Sequence, residues 1–213
     1  MITGKKGTYF MKKTLALILC GALMLSIAGC GTTAEPAVSS DAVTQAPAET
    51  APAVADNSDD KFVSAYPAFT VTSESLDGKY WVEACANTAD GENASPQLSW
   101  EPVEGATVYA IYMVDMNTNN FLHWRSSDIT ETNLPQGWAS SADYVGPYPP
   151  PGSTHQYNIY VFALKAPVER VKGGINSQAV KLQEFMYSLD TDAEGNTGNI
   201  VAVGRIIGHY TAK

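Results

Sequence analysis

Short apolar or alternating runs rich in Val, Ile, Tyr and Trp recur along the chain between clusters of Gly, Pro, Asn and Asp. They are Tyr80-Trp81-Val82, Val108 to Val114, Phe121 to Trp124, Tyr157 to Leu164 and Ile200 to Tyr210. β-Branched and aromatic side chains suit a pleated, packed surface, and this spacing predicts the strands of a sandwich or barrel. One segment departs from the pattern. Ser177 to Met186 places apolar residues at helical spacing, and Asn176 or Ser177 could cap it by accepting from amides of the first turn. The fold is therefore expected to be mainly β, without internal repeats.

The front of the chain has a different composition. Lys12-Lys13 precede an apolar run from Leu15 to Ile27, which ends in Ala28-Gly29-Cys30. This is the charged region, apolar region and small-residue cleavage site of a secretory signal over residues 1–29. Such a run is short for a spanning helix, which needs about 20 residues. The run resembles a bacterial lipobox, which implies lipidation at Cys30, and Met11 is a better start than Met1 because it leaves a compact Met-Lys-Lys leader. Residues 31–60 are Ala, Pro, Thr, Ser and acid, too poor in apolar surface to offset the entropy of ordering, and predict a tether. Residues 61–213 are left as one domain of about 150 residues. Cys85 is then the one cysteine in the folded part, so no internal disulfide forms and Cys85 is expected to be a small buried apolar residue.

Charge narrows the choice of partner. The formal net charge is −9; loss of four leader lysines takes it to −13, and the six acids of the tether account for enough of this to leave −7 on the domain. A negative surface argues against nucleic acid and against adhesion to anionic lipid. Membrane attachment would fall to the lipid on Cys30, placing the protein in a bacterial cell envelope on the extracytoplasmic side.

The densest chemistry lies in Gly146-Pro147-Tyr148-Pro149-Pro150-Pro151-Gly152-Ser153-Thr154-His155-Gln156-Tyr157. Proline fixes φ and removes a donor while glycine opens backbone angles closed to other residues, so the stretch predicts a rigid, irregular loop that runs into a strand. With its imidazole and loop amides, such a segment can hold an anion, while Asp115 at the end of another strand could orient a histidine or accept from an ammonium. The same residues also have structural explanations: half-buried histidines bound to backbone carbonyls, turn chemistry at Asp115, and Tyr157 in the core.

The motifs together resemble the phosphatidylethanolamine-binding protein family, in its bacterial Raf-kinase-inhibitor-like branch. Asn93-Ala94-Ser95-Pro96-Gln97-Leu98-Ser99-Trp100 is similar to the family's N-x-SP-x-L-x-W, Val114-Asp115-Met116-Asn117 stands where D-P-D is usual, and His123-Trp124 and the loop with His155-Gln156-Tyr157 follow in the family's order. The resemblance implies a Greek-key-type β-sandwich with one or two peripheral helices and a small anion pocket. That pocket would be lined by Asp115, His123, Gly146, Tyr148, Pro149, His155 and Tyr157. Two departures stand out: Asn117 replaces the second acid, and Tyr148 stands where many bacterial members have Cys, which would put a bulky phenol at the pocket wall.

Three classes of function follow. The first is an envelope-anchored module that binds a small anionic or phosphorylated ligand, such as phosphate or a phosphorylethanolamine-like head group, without a cofactor. The second is an interaction protein that inhibits a protease or another extracytoplasmic partner through the surface around the pocket. The third is a metal or acid-base enzyme using His123, His155 and Asp115, with neither a G-x-S-x-G nor an H-E-x-x-H motif to support it.

Overall fold

A computed structural model describes residues 55–213. The expected leader, Cys30 and residues 31–54 of the tether lie outside the described residues, and no described helix is long and apolar enough to cross a membrane. In chain order the elements are β1 (Ala68–Phe69), β2 (Leu76–Asp77), β3 (Tyr80–Trp81), β4 (Leu98–Ser99), β5 (Val108–Asp115), β6 (Phe121–Ile129), β7 (Asn133–Leu134), β8 (Thr154–Leu164), β9 (Ser177–Gln178), α1 (Leu182–Tyr187) and β10 (Ile200–Thr211).

Eight strands form one mixed sheet in the order β2-β3-β10-β8-β5-β6-β9, with β1 also paired to β10. β5 is buried along its whole length because both faces of the sheet are covered. Successive side chains point to opposite faces, so Tyr109, Ile111 and Met113 enter one core with Trp100, Trp124 and Tyr144, while Val108, Ala110, Tyr112 and Val114 enter the other with Phe62, Leu182 and Met186. This explains the unbroken apolar run in the sequence, since a strand buried on both faces has no polar side. The sandwich has unequal layers: facing the large sheet is the two-stranded β4–β7 sheet with its loops, and α1 lies across the other core. Cys85 is buried and free, and burial pushes its thiol up to about 11.

The sequence prediction needs correction at two places. The helix starts at Leu182 rather than Ser177, because Ser177 and Gln178 pair with Leu122 and Phe121 as β9. Asn176 has a φ of 60° and its side-chain oxygen accepts from Tyr148, while the Ser177 hydroxyl donates to Gly174, so neither caps the helix. Pairing at a sheet edge here overrides local periodicity.

The second correction concerns the tether, whose last residues belong to the domain. Asn57 and Asp60 are buried. Asn57 donates to the Val203 carbonyl at 2.9 Å. One Asp60 oxygen accepts from the amides of Phe62 and Val63, and the other from the Tyr160 hydroxyl at 2.8 Å and from Arg205 at 3.1 Å. Arg205 also pairs with Asp59, so acids that look like solvating charge in the sequence serve as a clasp on β10. Asp60→Ala would leave the Tyr160 hydroxyl hydrogen and two amides without an acceptor and reduce Arg205 to Asp59 and the Asp56 carbonyl. It is expected to lower the unfolding free energy by about 3 kcal/mol in urea melts. A chain begun at Lys61 should be less stable than one begun at Ala55.

Candidate ligand-binding site

The ends of three neighbouring strands deliver the site. In the sheet, Asp115 at the end of β5 sits between Tyr157 of β8 and Phe121 of β6. His155 lies two residues before Tyr157 on the same face, as strand geometry requires. His123 arrives by a different device. Met113 pairs with Trp124 and Val114 with Leu122, so one step along β5 matches two along β6, and His123 is the extra residue of a β-bulge. Freed from the ladder with β5, its backbone carbonyl accepts from Val145 N–H at 2.8 Å while its ring Nδ1 lies 2.7 Å from the Val145 carbonyl. A carbonyl can only accept, so Nδ1 carries the hydrogen.

Asp115 orients the second histidine. Its Oδ2 is 2.7 Å from His155 Nδ1 and accepts from Thr118 Oγ1 at 3.1 Å, while Oδ1 accepts the Asn117 amide at 2.7 Å in a tight turn. Asn117 turns its own side chain away: its oxygen accepts the Gln156 amide at 2.8 Å. The residue that replaces the second acid therefore ties the turn to β8 and does not line the pocket, and an aspartate could accept from the same amide.

These groups form the floor of a cavity of about 420 Å³ lined by Asp115, Thr118, Phe121, His123, Tyr148, Pro149, Pro150, Pro151, His155 and Tyr157. Of the residues expected from sequence, Asp115, His123, Tyr148, Pro149, His155 and Tyr157 line it and Gly146 does not. Gly146 lies beneath the loop, its amide donating to Asn93 Oδ1 at 2.7 Å. A Cβ there would overlap the Cys85 carbonyl oxygen, so glycine is required by close backbone approach rather than by a ligand. Thr118, Phe121, Pro150 and Pro151 were not foreseen. Phe121 could have been found from strand alternation, two residues before His123; Thr118 emerges only from the turn that Asp115 caps.

The loop also offers fewer donors than its glycines suggest. Gly152 N–H is bound to the Ala212 carbonyl, Gly146 N–H is taken by Asn93, and the four prolines have none. The Tyr148 amide faces the Tyr157 hydroxyl without closing a hydrogen bond, and that hydroxyl is buried and unpartnered. Aromatic rings supply most of the walls. Tyr148 meets Phe121 edge-on at 5.9 Å and His123 at 5.7 Å, and its hydroxyl donates to Asn176 at 2.6 Å, so the phenol joins the loop to the segment before β9 as one side of the mouth. Among the described residues, no group of three His, Cys, Asp or Glu is arranged to hold a metal.

Burial holds His123 below the ordinary imidazole value of 6.5, only partly offset by the Val145 carbonyl and the Asp115 charge. In the window between 6.5 and the lower folded value the unfolded chain binds the proton first. Stability should thus be full above pH 6.5 and fall as the pH drops through that window. Denaturant melts from pH 8 to 5 are expected to show the decline, and His123→Asn should reduce its slope.

The comparisons agree with this architecture. No curated protein matches the chain. Solved structures that share the fold include a putative phosphatidylethanolamine-binding protein homologue, CT736, from Chlamydia trachomatis, at 20% identity and a TM-score of 0.50. Another is E. coli YbcL, described as a new member of the mammalian PEBP family, at 24% identity and a TM-score of 0.51. Each alignment covers 68% of this chain and 99% of the other. The family model described as phosphatidylethanolamine-binding protein matches residues 72–206, a span that contains every residue of the pocket. The chain belongs to the phosphatidylethanolamine-binding protein family.

Proposed function

We propose that the domain is a binding module for a small phosphorylated ligand, inorganic phosphate or a phosphorylethanolamine-like head group, held at the floor formed by His123, His155 and Asp115. The observation that carries this is the convergence of two imidazoles, each fixed by a hydrogen bond at Nδ1, on one small cavity. No protein group bonds either Nε2 among the described residues, so both remain available to a ligand. The rigid proline wall lowers the entropy cost of binding. The leader and Cys30 support lipid anchoring on the outer side of a bacterial membrane, with the Ala/Pro-rich stretch as tether.

A second use of the same surface is favoured by one observation: Tyr148, Pro150 and Pro151 are exposed around the mouth, where a protein partner such as a protease could dock. Phosphorus NMR separates the two. Titrating phosphate and phosphorylethanolamine with the full-length protein should give saturable broadening or shift, and His155→Ala should weaken the affinity at least tenfold. Absence of any effect in the wild type contradicts ligand binding and leaves the partner surface to be tested by pull-down from envelope extract.

A further inference from the structure

The pocket presents an oxyanion with no fixed positive charge. None of its lining residues is Lys or Arg. The groups facing the two histidines are the Asp115 carboxylate on β5, Tyr157 on β8, Tyr148 on the loop and Tyr210 opposite His155 on β10. The Tyr210 hydroxyl is itself bound to Glu83, which holds Lys213 at 2.8 Å. Donors are scarce as well. Thr118 gives its hydrogen to Asp115, the two loop glycine amides are bound to protein and the prolines carry none, which leaves the buried, unpartnered Tyr157 hydroxyl and the Tyr148 amide facing it as the neutral donors.

Each ring has committed its hydrogen. Val145 O and the Asp115 carboxylate are acceptors, so both Nδ1 atoms are donors, and a neutral ring of that tautomer shows a lone pair at Nε2. Two lone pairs and a carboxylate repel a fully deprotonated anion. The arrangement becomes complementary when one proton is added, either on the ligand as P–OH donating to Nε2, or on a ring as imidazolium. Both descriptions have the same composition: anion, site and one proton taken from solvent.

We infer that this pocket takes up its anion together with a proton, and so selects phosphomonoesters and inorganic phosphate over oxyanions with no ionisable hydrogen near neutral pH, namely sulfate and phosphodiesters. The inference rests on the phosphate-binding reading and adds the ligand class and its protonation state. A phosphomonoester keeps an ionisable P–OH with a second ionisation at about 6, so the proton can reside on the ligand at little cost. Sulfate and a phosphodiester can be matched only by charging a ring; burial opposes that at His123, which leaves His155, paired with Asp115, as the one ring to meet them.

Calorimetry on the full-length protein tests this, with phosphate, phosphorylethanolamine, sulfate and dimethyl phosphate titrated at pH 8 in two buffers of different ionisation enthalpy. Phosphorylethanolamine is expected to bind with uptake of about one proton, and its affinity to fall about tenfold for each pH unit above the second ionisation. Sulfate and dimethyl phosphate should bind at least tenfold more weakly. Vesicles of phosphatidylethanolamine, whose head group is a diester, should not displace the monoester. Binding without proton uptake, sulfate or diester bound as tightly as phosphate, or displacement by the vesicles would overturn the proton requirement and leave phosphate binding intact. No binding of any of the four anions would overturn both.

Discussion

The paired hydrogen bonds between His123 and Val145 are the constraint on which the site depends. β6 can make them only because the bulge releases His123 from its ladder with β5, and they also fix where the chain re-enters above the sheet. Arg125 N–H donating to the Asp143 carbonyl and the bridge between Trp124 and Tyr144 extend the same seam. From it the chain passes through Gly146, pressed against Cys85 and held by Asn93, into the proline wall. The cavity is thus bounded by a strand defect on one side and a stiff loop on the other, and little in either can relax.

The same geometry governs the electrostatics. The structure spends one nitrogen of each imidazole on orientation and leaves the other facing a cavity walled by aromatic rings and prolines. In such surroundings a charge is costly unless matched, and the domain has a negative balance with no cation at the pocket. An anion held here, as proposed above, would be sensitive to where protons are, which distinguishes such a pocket from sites built on Arg clusters or helix termini. Arg205, a cation that could have served an anion, is locked into Asp59 and Asp60 in the clasp on β10.

β5 and the Tyr157 to Leu164 stretch of β8 were legible because they are buried on both faces and bounded by turn residues, β6 and β10 because of their β-branched and aromatic residues, and the pocket histidines because they sit in motifs. What escaped the sequence depends on contacts between distant segments. Asn57 and Asp60 read as solvated tether, since nothing local reveals that Val203, Tyr160 and Arg205 wait for them. Ser177 and Gln178 fit a helical period, yet they complete the edge of β6. Asn117 looked like a lost carboxylate, whereas its oxygen serves the backbone of β8. Gly146 looked like a ligand contact because glycine signals close approach, but the approach is to the protein's own chain.

Nitrogen-15 NMR of the imidazole rings, with and without saturating phosphate, tests the central claim most directly. The account predicts that His123 and His155 both carry the hydrogen on Nδ1 in the free protein, and that phosphate moves the Nε2 resonances of both rings while the Nδ1 hydrogen bonds persist. An Nε2–H tautomer in either ring, or a response to phosphate confined to Nδ1, would contradict it.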